Sequence, residues 1–259
     1  MPRFAANLSM MFTEVPFLDR FALAAKHGFK AVEFLFPYEF PASEIATRLK
    51  DNGLAQVLFN APPGDWAKGE RGIACLPGRQ HEFREAIKQA VEYAVALDCP
   101  RLHVMAGLAP AGAARDQLHA TYAVNLAWAS RECGKADIKP VIEPINHRDI
   151  PGFFLNTTDE AAAIITAIGP ERIGLQFDLY HCQITEGDLV KRVEKHLPLI
   201  AHMQVADNPG RNEPGTGEVN WPFVFRKIDE LGFRGWIGCE YRPAGETAAG
   251  LGWFAPYQG

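Results

Sequence analysis

The stretch GWIGCEYRP, residues 235–243, decides how the chain is read. Trp236, Ile237 and Cys239 read as a short buried β-strand, yet the run ends on an ionisable Glu240. A carboxylate in that position is costly unless it is paired or bound to a metal. The plain alternative is that Arg242, two residues on, neutralises it. The pattern is not isolated. Apolar strand-like runs precede it at RFAANL (3–8), AVEFLF (31–36), LAQVLFNA (54–61) and RLHVMAG (101–107). Three more lie at KPVIEPI (139–145), RIGLQFDLYH (172–181) and IAHMQVAD (200–207).

Segments with helical spacing of apolar residues separate these runs. In HEFREAIKQAVEYAVALDC (81–99), Phe83, Ile87, Val91 and Val95 mark one face. TTDEAAAIITAIG (157–169) begins on Thr157 or Thr158 as N-cap and stops at Gly169. Eight strand–helix alternations with largely apolar strands imply a parallel sheet covered by helices. At 259 residues the economical closure is an α/β fold of the (β/α)8 TIM-barrel type, as one domain over 1–259. A doubly wound open sheet is the alternative, but no glycine-rich phosphate-binding motif follows the first strand. The connection NAPPGDWAKGERGIACLPGR (60–79) exceeds ordinary loop length, as functional lids do.

A net charge of −5 and the lack of a Lys/Arg block speak against a nucleic-acid surface. No apolar run is long enough to span a membrane, and MPRFAANLSMMFTEVPF reads as a first strand and turn rather than a signal peptide. The five scattered cysteines fit a reducing cytoplasm, with the thiols as small apolar fillers.

Barrels of this type carry their chemistry where strands end at the C-terminal face. Glu143 in VIEPI, Asp178 in LQFDLYH, Gln204 in AHMQVAD and Glu240 in GCEY each interrupt an apolar run near its end. Three carboxylates and an amide oxygen converging on one point repel one another without a cation. With one, they form an all-oxygen site suited to Mg²⁺ or Mn²⁺ rather than zinc. The competing reading pairs each acid separately with basic residues on the rim. Alternation puts Cys239 and Tyr241 on the face opposite Glu240.

IEPIN (142–146), FDLYHCQ (177–183), HMQVADNPGRNEPGTGEVNW (202–221) and GCEYRP (238–243) resemble the hydroxypyruvate isomerase family, within the larger xylose isomerase-like group. The opening RFAANLSMMFTE and the loop GDWAKGERGIACLPGR extend the resemblance over nearly the whole chain. It implies that Glu143, Asp178, Gln204 and Glu240 bind a divalent metal, with both glutamates as catalytic acid/base. It also implies that His181 binds substrate, as in related ketose epimerases. Gln204 departs from those sugar epimerases, which more often have His there.

Moving a carbonyl between adjacent carbons passes through an enediolate, which a metal and two carboxylates can serve. The substrate is then a small 2-keto or hydroxy acid, whose carboxylate needs a cation. Arg211 in NPGRNEPG and Arg71 in KGERG are the candidates, with Glu70 as a partner for Arg71. His103 and His202 lie deeper in their strands than His181, and Trp66 and Phe36 are candidates to wall the pocket. Hydroxypyruvate is the leading substrate, and the four-carbon 2-oxo-tetronate its rival. A metal-dependent endonuclease or a non-catalytic sugar-acid binding protein are readings of another class. The tail AGETAAGLGWFAPYQG (244–259) either covers the barrel or forms a contact between subunits of a homo-oligomer.

Overall fold

In the computed structural model, which describes residues 1–258, the eight runs become eight parallel strands. They are β1 (Arg3–Asn7), β2 (Ala31–Glu33), β3 (Ala55–Asn60), β4 (Arg101–His103), β5 (Lys139–Ile142), β6 (Gly174–Asp178), β7 (Ile200–Gln204) and β8 (Trp236–Cys239). They pair in sequence order, and β1 closes on β8 from Arg3↔Trp236 to Ala6↔Cys239. The closed barrel is the expected one. The strands are shorter than the apolar runs, because hydrogen-bonded pairing stops where the chain turns outward at the C-terminal rim.

Helices cover the outside: α1 (Arg20–Lys26), α2 (Ala42–Asp51), α3 (Gln80–Ala96), α4 (Arg115–Gly134), α5 (Thr158–Ile168), α6 (Leu179–Thr185), α7 (Leu189–His196) and α8 (Trp221–Glu230). Helix α3 buries Phe83, Ile87, Ala90 and Ala94. Val95, expected on that face, is 61% exposed, because the helical turn carries position 95 past the stripe that ends at Ala94. Helix α5 starts on Thr157, whose Oγ1 accepts from the Glu160 N–H while Glu160 accepts from the Thr157 N–H. This reciprocal cap selects Thr157 over Thr158.

The tail winds as a 3-10 helix (Thr247–Tyr257) against its own barrel. Phe254 stacks on Phe29 at 4.3 Å, and Trp253 and Tyr257 meet Phe4 edge-on at 5.0 and 5.2 Å. Of the two roles expected for the tail, this chain shows the first.

A polar layer fills the middle of the barrel. Glu33, 1% exposed, accepts from Asn7 Nδ2 (2.9 Å) and Gln204 Nε2 (2.9 Å) and pairs with His202 Nε2 (2.6 Å). Gly238 on β8 faces this carboxylate so closely that any side chain would collide with it. The glycine therefore makes room for a buried charge directly beneath the C-terminal rim.

Candidate active site

Strands β5, β6 and β8 bring the acids at their ends to one place. Glu143 follows β5, Asp178 ends β6 and Glu240 follows β8. With His181 they offer ligand atoms that all lie within 4.8 Å of one another, and all four residues are buried. Asp178 works in two directions. Its Oδ1 caps helix α6 by accepting from Tyr180 N (2.7 Å) and His181 N (3.4 Å), which leaves Oδ2 for the site. The same cap sets His181 one helical turn away, with Nε2 at 3.6 Å from Asp178 Oδ2 and 3.9 Å from Glu143 Oε1.

The tautomer of His181 follows from its neighbours. Asn146 Oδ1 accepts from the Asp149 N–H (2.8 Å), so its amide nitrogen must be the atom that donates to His181 Nδ1 at 2.5 Å. The short contact makes Nδ1 the acceptor and puts the proton on Nε2, facing the carboxylates, against the longer approach of Arg211 Nη2 to Nε2 at 3.5 Å. Burial, with Arg211 close by, holds the His181 pKa well below its ordinary value, so this histidine is a neutral donor.

Gln204, the fourth expected ligand, ends β7 beside Asp178 and Gly238. Its Oε1 accepts from Gln176 Nε2 (2.6 Å) and its Nε2 donates to Glu33, tying the rim to the polar layer below. Arg211 enters from the loop after β7. Its Nη2 lies 2.6 Å from Glu240 Oε2 and 3.9 Å from Asp178 Oδ2, and its Nη1 3.1 Å from Asp149 Oδ2. Arg211, not Arg242, is thus the partner of Glu240. Asp207 holds that loop in shape by accepting from the N–H groups of Asn208, Gly215, Gly217 and Val219.

Arg71 does not join the carboxylate cluster. It stacks on Trp66, 3.8 Å from the ring centroid, and donates to the carbonyls of Trp66 and Glu70. The Glu70 carboxylate, expected to pair with Arg71, instead binds Arg79. Arg79, the residue just before helix α3, grips Glu70 and Glu82 together, whereas Arg71 lies on the Trp66 indole at the cavity wall.

Burial dominates the electrostatics. It raises Glu240 to about 8 and Asp178 to about 6, in both cases against the pull of Arg211. Glu143 is pushed well above the carboxylate range by burial and then by the charges of Glu240 and Asp178. Glu143 Oε1 and Asp178 Oδ2 are buried without a hydrogen-bond partner. Unpartnered buried carboxylate oxygens aimed at a common point are what a bound cation would relieve, so the donor set fits a hard divalent metal.

Glu143, Glu240 and His181 open onto a cavity of about 400 Å³ also lined by His103, Asn60, Trp66 and Tyr180, with Asp178 buried behind them. His103 is closer to the chemistry than its place in the apolar run suggested, because β4 ends at this residue. Its Nδ1 is 3.3 Å from Asn60 Oδ1 and its Nε2 3.6 Å from Glu143 Oε2. Burial lowers it to about 3, so it too is neutral. Phe36 packs behind Trp66, with ring centroids 5.0 Å apart.

The xylose isomerase-like TIM barrel family model matches residues 21–257. A 2-oxo-tetronate isomerase of Cupriavidus necator is 55% identical over 259 residues, covering both chains fully. A hydroxypyruvate isomerase of Escherichia coli is 47% identical over 258 residues, again covering 100% of each chain. A crystal structure described as an AP endonuclease of family 2 from Brucella melitensis superimposes with a TM-score of 0.97 at 49% identity, covering 100% of each chain.

Proposed function

The chain belongs to the xylose isomerase-like TIM barrels, and on that premise we propose that it is a metal-dependent isomerase of short 2-keto acids. In this reading it interconverts hydroxypyruvate and 2-hydroxy-3-oxopropanoate. The observation that carries the proposal is the convergence of Glu143, Asp178 and Glu240 with His181, three of which line a small cavity with Asp178 buried behind them, in a chain whose full-length relatives are isomerases.

Glu143, Asp178 and Glu240, with Gln204 from the adjacent strand, would hold Mg²⁺ or Mn²⁺. Such an ion supplies positive charge against the oxygen charge that builds on an enediolate. The residues themselves move the protons. One of the two glutamates takes a proton from C3 of hydroxypyruvate, generating the enediolate across C2 and C3. The C3 hydroxyl gives up its proton, O2 receives one, and a proton returned to C2 completes the product, so the proton count is unchanged. Glu143 and Glu240 share these transfers, since burial raises both carboxyls above the ordinary carboxylate range. His181, locked as a neutral Nε2–H donor, hydrogen-bonds a substrate oxygen without adding charge. Arg211 offsets the negative charge of Glu240.

The 55% identity to a 2-oxo-tetronate isomerase favours a second substrate, the four-carbon acid, with the same chemistry one carbon longer. The endonuclease description of the Brucella structure has less support in this cavity, whose 400 Å³ suits a small molecule and not a duplex. The five cysteines, free thiols all, favour a cytoplasmic setting. The test offers hydroxypyruvate and 2-oxo-tetronate separately to metal-stripped, Mg²⁺-loaded and Mn²⁺-loaded protein. Metal-dependent turnover supports the proposal and the faster acid names the substrate; no turnover of either by loaded protein removes it.

A further inference from the structure

We infer that Arg242, with Arg71 on Trp66, forms a clamp that holds the substrate carboxylate at the cavity mouth and separates 2-keto acids from neutral ketoses. The inference rests on the proposed substrate class and adds to it the residue that selects that class.

Three arginines line the cavity, Arg71, Arg211 and Arg242. Arg211 is committed to Glu240 and Asp149, so its charge offsets the site's own acids. Neither Arg71 nor Arg242 has a carboxylate partner among the described residues. Arg71 spends its donors on backbone carbonyls, and the nearby Glu70 is occupied by Arg79. Arg242 is held only by its backbone: its N–H donates to Arg211 O at 2.9 Å and its carbonyl accepts from Asn212 Nδ2 at 2.7 Å. The Cα is thereby fixed while the guanidinium is left without a partner.

Direction follows from the residues that line the cavity just past β8. Tyr241 is 1% exposed and packs into the core, while Glu240 and Arg242 on either side of it both line the cavity. A second cavity adjoins the first, and Arg242, Trp66, Met10 and Leu35 line both. Arg242 and Trp66, with Arg71 stacked on the indole, therefore stand where the two cavities meet. Two unpaired guanidinium groups at that place suit an anion, and their planar donor forks match a carboxylate. A neutral ketose of equal length gives them nothing to bind.

The experiment uses Mn²⁺-loaded protein and titrates it calorimetrically with glycerate and with glycerol, unreactive three-carbon probes that differ by the carboxylate. Arg242→Gln is expected to weaken glycerate binding ten- to a hundredfold, the range for losing a charge-assisted hydrogen bond. Arg242→Lys should keep part of it, and glycerol binding should be the same in all three proteins. In turnover, the KM for hydroxypyruvate should rise with the glycerate dissociation constant while kcat stays within threefold. Glycerate affinity in Arg242→Gln within twofold of the parent would overturn the clamp, whatever the turnover. Weakened glycerate binding without turnover of either keto acid would retain the clamp and remove the isomerase reading instead.

Discussion

Arg211 Nη2 stands 2.6 Å from Glu240 Oε2, although 29 residues separate them in the chain. The contact joins the loop after β7 to the rim after β8. It supplies a fixed positive charge beside a carboxylate that burial raises to about 8. An acid in such a place can both take up and release a proton near neutral pH, which is the property the proposed chemistry needs.

Glu240→Gln and Glu143→Gln are each expected to lower kcat by about 10²–10⁴, the usual contribution of a positioned acid or base. Glu143→Gln should melt close to the parent, since Glu143 Oε1 has no hydrogen-bond partner to lose, whereas Glu240→Gln also gives up the ion pair with Arg211 and should melt lower. Steady-state rates with either keto acid, alongside melting curves, provide the check.

Metal binding should tighten as pH rises. Glu240 at about 8 and Asp178 at about 6 lie above their ordinary values, so the folded metal-free protein holds protons that the unfolded chain releases. Their stabilising effect is complete below pH ~4 and is lost as pH climbs to about 8. Metal-free protein should therefore melt at least ~3 °C lower at pH 8.5 than at pH 5, with Mn²⁺ restoring most of the loss at the higher pH. A metal-free melting temperature that rises over this interval would contradict the assignment.

Glu33 accepts from Asn7 and Gln204 and pairs with His202 in the dry centre of the barrel. Glu33→Gln puts amide hydrogens against groups that already donate, and should cost about 1–3 kcal/mol in urea unfolding. A larger loss of turnover than of stability is also expected, because Gln204 is anchored by this carboxylate.

Asp207 gathers four backbone N–H groups of the loop that carries Arg211. Asp207→Ala should release that loop, lowering kcat/KM at least tenfold at the ordinary cost of a lost hydrogen-bonded turn. Stopped-flow or steady-state assays over a range of substrate concentration would show the effect in both kcat and KM.

The barrel was legible because each strand is an apolar run and each crossover a helical period, and both signals are local. So were the acids that end β5, β6 and β8, since a charge closing an apolar run stands out. The D-x-x-H spacing of Asp178 and His181 was legible for the same reason, as one helical turn seeded by the aspartate's cap. Glu33 carried that very signal in AVEFLF, but β2 stops one layer lower, and only the closed barrel sets the residue beneath the site. His103 was placed too deep because the apolar run continues four residues past the end of β4. Pairings were the least legible. Nothing in the sequence says that Glu240 takes Arg211 rather than Arg242, or that Glu70 takes Arg79 rather than Arg71, because loop geometry decides both.

Incorporation of solvent deuterium tests the proton-transfer account most directly. Mn²⁺-loaded protein would convert hydroxypyruvate in D₂O, with the label at C2 of the product read by NMR before non-enzymatic exchange. Proton transfer through Glu143 and Glu240 is expected to place deuterium at C2, with the rate of labelling abolished in Glu240→Gln. Turnover that leaves C2 free of deuterium would mean that hydrogen passes directly between the carbons, and would contradict the roles given to the two glutamates.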